Sequence, residues 1–124
     1  MRSMALLDDY RIYLKEQGKA KNTIQTYSRH VDEYCRWYRD TFGEELTLLY
    51  HTNILDFRSY LQNVKRLKFK SIDTKLSSLS SFNEFLIKSG IQEDLIITRE
   101  DRLKFQQDIA SPAEIEKKDV EAFL

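Results

Sequence analysis

One cysteine, one proline and three glycines are all that this 124-residue chain contains of those three types. A lone Cys35 cannot close an internal disulfide, and with no CxxC pair and no Cys/His cluster nothing has metal-ligand spacing. Neither a metal nor another cofactor is expected, and a reducing compartment, the cytoplasm, is the natural setting. So little Gly and Pro exclude a collagenous or low-complexity chain. No run approaches the roughly 18 consecutive apolar residues of a membrane-spanning helix. Residues 1–10 carry Asp8 and Asp9 where a signal peptide needs an apolar stretch. An excess of either charge is also missing: twenty Lys and Arg balance twenty Asp and Glu.

The composition is that of an ordinary globular domain, 41% apolar and 32% charged. A single domain of this length buries somewhat under about 70% of its unfolded surface, enough for one core without staples. The neutral total conceals an uneven distribution. Residues 65–88 hold six bases (Lys65, Arg66, Lys68, Lys70, Lys75, Lys88) against Asp73 and Glu84, whereas residues 89–124 hold five bases against nine acids. One positive face and a negative tail would steer a polyanion to one side.

Helical periodicity dominates, and the class is all-α, with four segments. Leu6, Leu7, Tyr10 and Leu14 form one stripe of a helix that should stop near Gly18. Ile24, Tyr27, Val31, Tyr34, Cys35 and Tyr38 follow at three-and-four spacing after Asn22, placed to cap with Gln25 reaching back, in a helix ending around Phe42-Gly43. A third helix starts at Thr52 or Asn53, with Asp56 in its first turn, and runs Ile54, Phe57, Leu61, Val64. The fourth starts at Ser71, places Ile72, Leu76, Leu79, Phe82 and Leu86 on one face, and has Gly90 as its C-terminal stop. No strand alternation with hairpin chemistry is present, and residues 45–50 and 95–98 read as extended connectors.

Beyond Gly90 the stripe fades. Residues 93–111 are rich in both charges and read as a linker or loosely packed segment after a domain of residues 1–92. Ser111-Pro112 then breaks the chain, and residues 112–124 begin a new amphipathic helix that stops short, as at the front of a further domain.

Several of these pieces form a recognisable order. Leu7, Tyr10 and Leu14 stand as Leu-x-x-Tyr-x-x-x-Leu, followed by the basic turn Lys19-Ala20-Lys21-Asn22-Thr23 and then Tyr27-Ser28-Arg29. The fourth segment reads Ser71-Ile72-Asp73-Thr74-Lys75-Leu76-Ser77-Ser78-Leu79-Ser80-Ser81-Phe82-Asn83-Glu84-Phe85-Leu86. Pro112 is followed by Ile115, Asp119, Val120, Phe123 and Leu124. In this order the chain resembles the N-terminal, SAM-like core-binding domain of tyrosine recombinases, the family of phage integrases, Xer-type resolvases and transposon recombinases. Where that family has an Asn-Pro after the fourth helix, this chain has Gln92-Glu93-Asp94-Leu95.

The resemblance implies a SAM-like bundle of four to five helices, arranged as two crossed helical hairpins, forming half of a clamp on duplex DNA. It implies a catalytic domain beyond residue 112, other protomers in a DNA-bound tetramer, and site-specific recombination by the whole protein as the integrase or transposase of a mobile element. The host would be bacterial, or the gene phage-encoded. Under this reading Lys19, Lys21, Asn22, Thr23 and Arg29 meet phosphates at the start of helix two, where a helix N-terminus favours an anion. Lys70, Ser71, Thr74, Lys75 and Ser78 face the groove from helix four, with Lys68 and Lys65 on the flanking backbone. Contacts made mainly by Lys, Ser and Thr position the duplex and read few bases.

Each of these features also has a plainer interpretation. Asn22 and Thr23 can simply cap a helix, the lysines can be solvated, and Ser77, Ser80 and Ser81 can serve close helix crossing. Tyr27, Tyr34, Tyr38, Phe57, Phe82 and Phe85 lie on the apolar stripes and read as core, not as a stacking platform; Trp37 lies off its stripe. His30 and His51 have no partner at useful spacing, so surface or hydrogen-bonded roles are expected, and neither begins the family's His-x-x-Arg. No tyrosine here is expected to be a nucleophile, and no catalytic residue is expected in this piece. A rival function is a helical protein-interaction module acting through the charged residues 93–108 and an aromatic surface, with no DNA contact.

Overall fold

The structure is a computed structural model that describes residues 2–98. Four helices account for the body: α1 (Arg2–Glu16), α2 (Lys21–Phe42), α3 (His51–Asn63) and α4 (Phe69–Lys88). The class is all-α. α1 packs on α2 and α3 on α4, and the two pairs join chiefly where α2 crosses α4, with α1 touching α4 as well. α4 therefore has a neighbour on three sides, and its buried face is wider than a single stripe.

The stripes expected from periodicity form the core, except that Val64, expected on the third stripe, follows the end of α3 and is exposed. Tyr10, Leu14, Tyr34, Phe57, Leu61, Ile72, Leu79, Phe82 and Leu86 are fully enclosed. Tyr10 meets Phe82 edge-on at 5.1 Å and Tyr34 meets Phe57 edge-on at 5.0 Å, the arrangement ring quadrupoles favour. Trp37, half-buried, packs 5.1 Å from Phe57. Residues 45–50 and 95–98 are non-helical connectors, and they add Leu46, Leu49 and Ile97 to the core.

The helix stops match the glycines, whereas three helix starts lie elsewhere than expected. Gly18 and Gly90 take φ of 81° and 76°, and each closes its helix with a paired turn: Lys19 N–H to the Leu14 carbonyl and Gly18 N–H to Lys15, then Ile91 N–H to Leu86 and Gly90 N–H to Ile87. α2 starts at Lys21, because Ala20 is extended and accepts the first helical bond from Ile24 N–H at 3.0 Å. Asn22 thus lies inside the first turn, where it cannot act as the cap. α3 starts at His51, since the Tyr50 carbonyl accepts from Asn53 and Ile54, which moves Asp56 beyond the first turn. α4 starts at Phe69, with Lys68 accepting from Ile72 N–H, two residues before Ser71. No side chain caps α2, α3 or α4 at its start.

Two buried or half-buried amides tie the connectors down. The Gln92 side chain donates to the Leu49 carbonyl at 2.7 Å and accepts from Leu49 N–H at 3.1 Å. Asn83, fully enclosed on α4, donates to the Asp94 carbonyl at 3.1 Å and accepts from Ile96 and Ile97 N–H at 2.7 and 3.3 Å. Residues 94–97 are therefore fastened to α4. The charged residues from Arg99 onward, Ser111-Pro112 and residues 112–124 lie outside the described residues.

Candidate nucleic-acid interface

Where α2 crosses α4 an open groove of about 290 Å³ is lined by Thr26, Arg29 and His30 from α2 and by Lys70, Ser71, Thr74 and Lys75 from α4. Five of the side chains expected at DNA thus share one groove: Arg29, Lys70, Ser71, Thr74 and Lys75. Helical spacing explains why. Thr26, Arg29 and His30 fall one turn apart on α2, and Lys70, Ser71, Thr74 and Lys75 do so on α4. Arg29, Lys70, Ser71 and Thr74 are exposed. The groove opens at the start of α4, whose first turn has no acid to neutralise the outward N–H groups and their dipole.

Two of the five have internal partners. The Lys75 ammonium pairs with the Glu33 carboxylate, and both side chains are largely buried, at 18% and 27% exposure. The Thr74 hydroxyl donates to the Lys70 carbonyl at 2.9 Å, so it offers lone pairs to a ligand. Arg29 and Lys70 supply the groove's outward charge.

Ser78 does not face a DNA groove. It is fully enclosed, 2.8 Å from His30 Nδ1 and 3.2 Å from the Thr74 carbonyl, because α4 buries this flank against α2 as well as its apolar stripe. The remaining expected residues lie outside the groove's lining. Lys19 lines a second groove of about 260 Å³ with Tyr13, Tyr27, Ser81 and Glu84. Lys21 and Asn22 are exposed and Thr23 half-buried on the first turn of α2, and exposed Lys68 precedes α4. Lys65 lines a third groove, with Arg29, Asp32, Glu33 and Arg36.

Thr26 and His30 are groove residues that sequence reasoning passed over. The available signal was that Thr26 stands three residues before Arg29 and four before His30, and His30 three before Glu33. His30 is hydrogen-bonded, as one of its two expected roles required, and only 7% exposed. Burial lowers its pKa from the ordinary value, Lys75 and Arg29 lower it further, and Glu33 opposes them.

The architecture and the motif order agree with a comparison of the sequence against family models, in which residues 6–93 match the phage integrase N-terminal SAM-like domain. The chain belongs to that family. This SAM-like domain is also 44% identical over 121 residues to a TnP I resolvase of Bacillus thuringiensis. The aligned region is 98% of this chain and 43% of that relative, so the chain spans about two fifths of the relative's length. No solved structure matches the chain. Among the described residues no helix is long and apolar enough to cross a membrane.

Proposed function

We propose that this SAM-like domain is the N-terminal half-clamp of a site-specific tyrosine recombinase and holds duplex DNA by its phosphates. The observation that carries the reading is the convergence of exposed Arg29 and Lys70 on one groove at the uncapped start of α4, in a chain of the phage integrase family. Guanidinium, ammonium, hydroxyl and helix N-terminus are all groups that bind phosphate. All of them can hold a phosphate whatever the base, so the expected role is affinity and placement. Lys21, Asn22, Thr23 and Lys19 then extend the footprint around the start of α2, and Lys68 continues it beside α4.

In this reading residues 1–92 form the clamp, residues 93–111 lead away from it, and residues 112–124 open the catalytic domain that cuts and rejoins DNA. The relative named as a resolvase supports recombination as the activity of the whole protein. Other protomers on the same DNA and a cytoplasmic location follow from that activity.

The test is duplex binding by the 124-residue chain over about 50 to 200 mM salt. Affinity should fall steeply with salt, and Arg29→Glu with Lys70→Glu should abolish binding while circular dichroism is unchanged, because both side chains are exposed. Salt-insensitive binding, or binding untouched by this double substitution, refutes the phosphate account.

A further inference from the structure

The His30 ring lines the groove and has one nitrogen engaged. Nδ1 lies 2.8 Å from Ser78 Oγ. The Ser78 hydroxyl has a single proton, and Oγ is also 3.2 Å from the Thr74 carbonyl, which can only accept. Assigning that proton to the Thr74 carbonyl makes Ser78 Oγ the acceptor of His30 Nδ1–H. Nδ1 is then protonated whether the ring is neutral or charged, and Nε2 is the nitrogen that gains or loses a proton. Among the described residues, the side-chain atoms sealed away without a partner are Ser28 Oγ and Tyr34 Oη. His30 Nε2 is not one of them, and the ring lines the groove.

We propose that His30 Nε2 is a proton-dependent ligand for a backbone phosphate in the groove between α2 and α4. This rests on the duplex-binding reading and adds a residue and a pH dependence to it. Neutral Nε2 presents a lone pair, which a phosphate oxygen repels; protonated Nε2–H donates a charge-assisted hydrogen bond. The groups facing the ring are Arg29 and Glu33 on α2 and Lys70 and Lys75 on α4. Without DNA, burial and the cations Lys75 and Arg29 disfavour the charged ring, against Glu33. A phosphate lying across Arg29 and Lys70 offsets those cations and draws one proton onto Nε2.

The experiment is duplex binding by the 124-residue chain at fixed salt, from about pH 8 down to about pH 6, with a short mixed-sequence oligonucleotide. Affinity should tighten as pH falls, by up to about tenfold per unit, the limit for one proton taken up. Calorimetry in two buffers of different ionisation enthalpy should count that proton. His30→Asn leaves an amide nitrogen near Nδ1 for Ser78 and removes Nε2, so it should flatten the pH profile; His51→Gln should leave it intact. Because His30 is buried, the wild-type chain supplies a check that needs no variant: the His30 ring resonance should titrate at higher pH with duplex than without. Binding that is salt-dependent and lost on Lys70→Glu, yet indifferent to pH and without a shift in that titration, overturns this proposal and leaves the clamp reading standing. No binding at any pH overturns both.

Discussion

Replacing Asn83 by Ala removes the side-chain hydrogen bonds that run from α4 to residues 94–97. Three backbone groups lose their partner: the Asp94 carbonyl and the Ile96 and Ile97 N–H groups. Asn83 is fully enclosed and Ile97 only 2% exposed, so water does not replace the bond to Ile97 without opening the segment. At about 1 kcal/mol net for each unmet group the loss is about 3 kcal/mol, with the missing amide volume adding to it. For a body of this size that lowers Tm by about 15 °C. Thermal unfolding followed by circular dichroism measures the loss, and amide exchange at Ile96 and Ile97 shows where it originates. A Tm within about 4 °C of wild type, the shift expected for about 1 kcal/mol, with both amides still protected, would refute the claim that Asn83 is the fastening.

Glu33→Gln should release Lys75 to the groove, and the slope of log affinity against log salt for duplex binding should then steepen by about 0.9, one further phosphate neutralised; an unchanged slope would mean Lys75 already reaches DNA while paired. Cys35 is buried, and burial, with Asp32 and Glu45 adding, pushes its thiol up to about 12. Its alkylation at about pH 8 should therefore be roughly a thousandfold slower in the folded chain than in denaturant, from thiolate fraction alone. Comparable rates in the two states would show that the α2 face around Cys35 opens readily.

Periodicity was sufficient for the helices because each buries a stripe against a neighbour, so Tyr10, Tyr34, Phe57 and Phe82 could be placed inside from spacing alone. Helix starts were harder to read. Asn22, Thr52, Asn53 and Ser71 are good capping residue types, yet Ala20, Tyr50 and Lys68 occupy the cap positions, which depend on backbone angles set by the preceding turn. The roles of Asn83 and Gln92 leave no local pattern, since their partners lie 11 to 43 residues away. In the candidate interface, Arg29, Lys70, Ser71 and Thr74 were legible as the polar flanks of α2 and α4. Ser78 was misplaced because one apolar stripe cannot show that α4 is packed on three sides. The same crowding explains why a serine, small enough to fit and able to bond, stands opposite His30.

The fastening at Asn83 also has a mechanical consequence. A chain leaving a domain through a slack connector can sweep widely, and whatever follows it loses orientational memory within a few residues. Here the last described stretch is clamped by an amide on α4, the helix that also carries Lys70 and Ser71. One rod thus bears both the groove and the anchor of residues 94–97. A twist imposed on the N-terminal end of the rod would reach Asn83, toward its other end, without passing through a flexible joint, so residues 94–97 would turn with α4.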